Sequence, residues 1–219
     1  MAANADRIVW IDCEMTGLDL KNDALIEVAV IITDGQLNAV DDGIDLVIKP
    51  PQAALDQMSD FVREMHTVSG LITELDAGTT MEDAQAQVLE YVKNWIPEER
   101  KAPLAGSSVG TDKAFLERDM PELIEYLHYR IIDVSSVKEL AKRWYPRAYF
   151  QAPEKHGGHR ALADISESIN ELRYYRDVIF VPDPGPTSDE AREAAANYVL
   201  ELDAGEAEPE AGASEPQIT

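Results

Sequence analysis

Ile8-Val9-Trp10-Ile11 is a short apolar, β-prone run that leads into Asp12-Cys13-Glu14 and stops at Thr16-Gly17. A run of this length closed by a turn residue reads as a buried strand, and a strand dictates where its side chains point. Residues i and i+2 share a face, with Cα atoms roughly 6.5 Å apart, so Asp12 and Glu14 project side by side at the strand's end. Two carboxylates so placed repel each other and are costly to desolvate. Either both acids are solvated at a frayed end, or they are gathered around a cation. Carboxylate oxygens suit Mg²⁺ or Mn²⁺. The pair alone favours neither reading.

With 219 residues, 45% of them hydrophobic, the chain can bury a real core, as one domain or two. Its one cysteine, Cys13, rules out an intrachain disulfide, and one Cys with four His argues against a structural zinc cluster. The lack of a signal-like apolar segment or a long apolar run, together with the single thiol, leads us to expect a soluble, cytoplasmic protein. The net charge of −23 argues against clamping long nucleic acid by its backbone. It leaves room for an enzyme that works on a short polyanion through bound metal ions. Part of the excess is local: residues 183–219 hold ten acids against one base, Arg192.

Leu25–Thr33 and Ile44–Ile48 read as two further strands, and the Asp34-Gly35 and Asp41-Asp42-Gly43 turns make an antiparallel meander with the first. Ser59 caps a short helix that carries Phe61 and His66. Thr80 and Asp83 resemble a capping box ahead of a helix with Val88, Leu89, Val92, Trp95 and Ile96 at helical spacing, ended by Pro97. Pro103–Gly106 is a short buried strand. Helical patterns follow at about 112–119 and 121–127, a fifth strand at 130–134, and a helix from Ser135 or Ser136 to about Tyr145, ended by Pro146. Gln151–Gly158 is a loop, and a long helix spans about Arg160–Asp177, with Leu162, Ile165, Ile169, Leu172 and Tyr175 inward. Strands first, then helices alternating with strands, predict an α/β fold with a mixed sheet flanked by helices. From Pro182 the composition changes. Residues 1–181 read as the folded domain, and 182–219 as an acidic, largely disordered extension with a helix at about 189–202.

Two more acids sit in contexts like the first pair. Asp112 follows Gly106-Ser107-Ser108-Val109-Gly110-Thr111 at the start of a helix, where a dipole-facing acid is the ordinary reading. Asp164 lies in the long helix, five residues after His159. Five helical residues turn through about 500°, so the two side chains can share a site only if His159 lies in the loop before the helix.

Together these segments resemble the DEDDh 3′→5′ exonucleases of the ribonuclease H-like fold. Asp12-Cys13-Glu14 is similar to their first motif, Val109–Leu116 to the second and His159–Asp164 to the third. Within that group Trp10–Leu18, Gly106-Ser107-Ser108 and His159–Leu172 resemble the oligoribonucleases, a likeness that covers about residues 7–180. The resemblance implies a five-stranded mixed sheet and cleavage of short RNA, dinucleotides above all, to nucleoside 5′-monophosphates. It implies two divalent ions, Mg²⁺ or Mn²⁺, held by Asp12, Glu14, Asp112 and Asp164, with His159 as general base. It also implies a homodimer. Leu18 would wedge between two bases and Phe61, where the family more often has Trp, would stack on one. His66 and Ser108, with Tyr129 and Arg130 of a partner subunit, would cap the substrate's 5′ phosphate, and Tyr129 would count among the active-site residues.

Two alternatives remain. A proofreading-type DNA exonuclease would share the four acids and the histidine, but Met15–Leu18 and Tyr129-Arg130 disfavour it. A non-catalytic metal-binding or interaction domain would have no need of His159.

Overall fold

The computed structural model describes residues 6–154 and 158–203, the side chains of 199–203 excepted. The chain divides into two compact units, residues 1–179 and 180–219. The first holds a five-stranded sheet: β1 (Ile8–Met15), β2 (Leu25–Thr33), β3 (Ile44–Val47), β4 (Pro103–Gly106) and β5 (His128–Asp133), in the order β3-β2-β1-β4-β5. β1, β2 and β3 pair antiparallel, while β1–β4 and β4–β5 pair parallel. The helices are α1 (Gln52–Gln57), α2 (Asp60–Val68), α3 (Met81–Trp95), α4 (Gly110–Asp119), α5 (Pro121–Tyr126), α6 (Val134–Trp144), α7 (Pro146–Phe150) and α8 (Ala161–Ile179). α9 (Ser188–Asp203) belongs to the second unit. The mixed sheet and its flanking helices are those the sequence predicts.

β1 sits at the centre, and its alternation sorts the core into two layers. Val9, Ile11, Cys13 and Met15 join Val28, Val30 and Ile32 of β2 with residues of α3, α4 and α5. Trp10, on the other face, joins Ala29, Ile31, Ala105, Val134, Ile165 and Ile169. α8 therefore covers the Trp10 face, and Asp12 and Glu14 continue that face past the apolar cluster.

Several boundaries differ from the expectation. β1 runs through Met15, so both acids lie inside the strand and not at a frayed end. β5 begins at His128. The α6 cap is Asp133, whose carboxylate accepts from Ser135 N at 3.0 Å, because its side chain leaves the strand at the point where the helix needs an acceptor. Pro146 ends α6 but also opens α7, since proline suits the first helical turn. The α3 box is modified: Thr80 Oγ1 accepts from Asp83 N at 3.1 Å and donates to Asp83 Oδ2 at 2.8 Å, so the shorter acid bonds the capping hydroxyl. α1 and the short helices Leu71–Thr73 and Leu75–Ala77 carry too few periodic positions to be read from sequence. Gly157 and residues 205–219, assigned to a loop and to disorder, lie outside the described residues.

Candidate active site

The carboxyl ends of parallel strands β1 and β4 frame a pocket of about 370 Å³ lined by Asp12, Glu14, Leu18, Ser108, Asp112 and Asp164, among others. Each acid arrives by a different route. Asp12 and Glu14 come from alternate positions of β1. Asp112 comes from the first turn of α4, and its Oδ1 accepts from Cys13 N at 3.0 Å, which ties the helix start to β1. At the end of β4, Gly106 passes so close to β1 that a Cβ there would come within 2.9 Å of Ile11 O. Asp164 comes from the first turn of α8. His159 lies two residues before α8 with φ 47°, in the left-handed region that a side chain disfavours. This is the position that lets it share a site with Asp164: ligand atoms of Glu14, His159 and Asp164 lie within 4.8 Å of one another.

The electrostatics of the pocket are dominated by negative charge. Burial and the carboxylates of Asp112, Asp164 and Glu14 push Asp12 up to about 9. Burial and Asp164, Glu27 and Asp112 push Glu14 up to about 8, against the lowering effect of Arg160. Burial raises Asp112 to about 6, although its backbone hydrogen bonds oppose the shift. Four carboxylates gathered on one pocket fit hard divalent cations, which relieve the repulsion and accept oxygen ligands. The His159 imidazole stands beside Glu14 and Asp164.

A second pocket of about 260 Å³ adjoins the first, lined by Cys13, Glu14, Met15, Leu18, Phe61 and Met65 among others. Leu18 is 75% exposed and Phe61 79%, large apolar surfaces left open on either side of a cleft. The Leu18 loop is pinned by Asp23, which accepts from Thr16 Oγ1 at 3.0 Å and from Asp19 N at 2.9 Å.

The remaining expected residues divide. Ser108 lines the carboxylate pocket, with φ 57° and its backbone N–H donated to Asp133 Oδ1 at 2.9 Å. Tyr129 and Arg130 lie outside that pocket, on edge strand β5. Tyr129 is 76% exposed and stacks on His128, with the Arg130 guanidinium 5.5 Å from its ring centroid. His66 is wholly buried: Nε2 is 2.9 Å from Met15 O, and Nδ1 is 3.9 Å from Glu14 Oε2. Phe61 and His66 are five residues apart on α2, so they face different ways, and His66 lies behind Glu14.

Three groups go unnoticed in the sequence. Ser135 Oγ lies 2.9 Å from Ser108 Oγ and 3.1 Å from Ser107 Oγ, a hydroxyl cluster created by the β4–β5 pairing of Gly106 with Asp133. Glu27, wholly buried, and Arg160, partly exposed, form an ion pair at 2.7 Å. A charged residue inside the apolar run of β2 was the available signal.

The exonuclease family RNase_T matches residues 9–172. Exonuclease I is a structural neighbour with a TM-score of 0.63 at 14% identity, over 78% of this chain and 41% of that one. E. coli exonuclease I in complex with a 5cy-dT13 oligonucleotide gives 0.60 at 16% identity, over 80% and 41%. At this identity the likeness is one of fold, the ribonuclease H-like fold, and the chain spans about two fifths of those structures' length. Fold and family together define an exonuclease, a hydrolase of phosphodiester bonds. Curated relatives narrow the class. The oligoribonuclease of Streptomyces coelicolor is 66% identical over 195 residues, 89% of this chain and 98% of that one. That of Cutibacterium acnes is 61% identical over 191 residues, 87% and 95%, and that of Mycobacterium sp. strain KMS is 55% identical over 209 residues, 94% and 97%. The chain belongs to the oligoribonuclease family.

Proposed function

We propose that this chain is a 3′→5′ exoribonuclease that degrades short oligoribonucleotides, dinucleotides in particular, to nucleoside 5′-monophosphates. The observation that carries the reading is the meeting of Asp12, Glu14, Asp112 and Asp164 with His159 around one small pocket. Asp12, Glu14, Asp112 and Asp164 would hold two divalent ions, Mg²⁺ or Mn²⁺. When bound, such ions neutralise the phosphate and stabilise the attacking and leaving oxygens of an in-line displacement. His159 takes the proton from the attacking water. Leu18 and Phe61 grip the bases across the adjoining cleft, and Ser108 with Ser135 receives the terminal phosphate. His66 supports Glu14 from behind.

A second copy of the chain supplies Tyr129 and Arg130 to close the cap. The support is that both sit exposed on an edge strand, outside the pocket of their own chain, on a sheet margin where a partner can dock. Residues 1–181 constitute the catalytic domain and the acidic extension lies outside it. Among the described residues no helix is long and apolar enough to cross a membrane. The cytoplasm, where Cys13 stays a free thiol, is the proposed compartment.

The decisive experiment is a time course on 5′-labelled RNA two to ten nucleotides long, with Mn²⁺ and with EDTA. Dinucleotides are cleaved fastest, monophosphates are released with Mn²⁺ only, and Arg130→Ala removes most of the length preference. Equal rates at all lengths sink the cap. Preference for a mismatched DNA primer end would favour a proofreading exonuclease instead.

A further inference from the structure

Arg160 follows His159 directly and is held by three elements at once. Its Nε donates to Glu27 Oε1 at 2.7 Å, on β2. Its Nη1 and Nη2 donate to the two carboxylate oxygens of Glu74 at 2.9 and 3.2 Å, in the segment joining the short helices Leu71–Thr73 and Leu75–Ala77. Asp45 of β3 lies 3.9 Å from Nη2. The other oxygen of Glu27 accepts from Ala161 N at 2.9 Å, so one wholly buried carboxylate grips both the Arg160 side chain and the first N–H of α8. The Arg160 carbonyl in turn accepts from Asp164 N at 3.1 Å. Glu27 stands opposite Glu14 in the β1–β2 register. Directly paired antiparallel residues share a face, so the anchor and the carboxylate it serves rise from the same side of the sheet.

Among the described residues His159 shows no comparable hold: it sits in a left-handed conformation next to Gly158, and none of them comes within 4 Å of where a Cβ on that glycine would be. The restraint immediately C-terminal to it is the fork of Arg160. We propose that Arg160, clamped between Glu27 and Glu74, is a positioning residue that sets His159 over Glu14 and Asp164. The inference rests on the reading of His159 as the base. A fork–fork pair fixes orientation as well as distance, which an ammonium on the same stem does not.

A plain structural staple, or a mere positive charge near the pocket, predicts different behaviour, and a double-mutant cycle separates them. Turnover of a dinucleotide at saturating Mn²⁺ is measured for Arg160→Ala, Arg160→Lys and Glu74→Gln, each alone and combined with His159→Ala, with thermal melts alongside. Glu74 is half exposed, so Glu74→Gln keeps the test usable if the Arg160 variants fold poorly. Misplacing a reacting group by an ångström costs about 10²-fold. We expect a fall in kcat of that order for both Arg160 variants, a smaller fall for Glu74→Gln and KM little changed. With His159 already Ala, the same changes should have almost no further effect, because the group they position is gone. Equal losses in both backgrounds overturn the proposal, as does rescue by Arg160→Lys or a loss confined to KM. If His159→Ala alone turns over at the wild-type rate, the base assignment fails and the clamp's role with it. A cycle that is additive while His159→Ala alone is strongly slowed yet still measurable overturns the clamp alone.

Discussion

At Asp12 and Glu14, pKa values of about 9 and about 8 mean that the metal-free site keeps protons a free carboxylate would have lost. The folded values lie above the unfolded ones near 4, so the folded state binds more protons than the unfolded state between these limits. The contribution of these groups is therefore most favourable below about pH 4 and is lost as pH rises towards 9. In EDTA, the thermal midpoint should fall between pH 5 and 8, and Asp12→Asn should flatten that slope while abolishing turnover. A slope that Asp12→Asn leaves untouched would show that the acids are not coupled as described. Ion binding at neutral pH must expel these protons. Calorimetric titration with Mn²⁺ in two buffers of different ionisation heat should give different apparent enthalpies, and identical values would mean that no proton is released. His159→Ala should lower kcat by about 10²–10⁴ with the melting curve preserved, as is usual for loss of a general base.

Among the elements, α8 matters most, because it carries Asp164 and follows His159 while its apolar stripe fastens it to the sheet. Ile165 and Ile169 are buried against Trp10 and Ile31, so Ile169→Ala should cost about 2–5 kcal/mol in denaturant unfolding. Phe61 is the contrast. Exposed on α2, it should tolerate Ala within about 0.5 kcal/mol of stability, whereas KM for a dinucleotide rises because a stacking surface is lost. A stability loss as large as that of Ile169→Ala would place Phe61 in the core instead. The long periodic elements were legible because burial on one face leaves a pattern: β2, α3 and α8 fall where the sequence puts them. The end of β1 was not, because Asp12 and Glu14 break the apolar run although the strand's hydrogen bonds continue through them.

For the molecule as a whole, the proposed sharing of Arg130 between two copies can be tested by mixing. Asp12→Ala kills the site of its own chain but can still donate Arg130, and Arg130→Ala keeps the four acids but lacks the cap. Co-refolded together, the two variants should regain the dinucleotide preference that neither shows alone, since each mixed dimer contains one site with every part intact. No recovery in a mixture shown to contain mixed dimers would confine each site to one chain.

The sequence by itself carried the α/β architecture and the need for His159 to precede its helix if it is to meet Asp164, because strand and helix periods constrain local direction, whereas the four acids stood out as a set through the resemblance to the exonucleases. Only the tertiary structure decided that His66 stands behind Glu14, that Ser135 meets Ser108, and that Glu27 holds Arg160. Those contacts join residues between 27 and 133 positions apart. Such partners are chosen by strand order and helix docking, which no local spacing records.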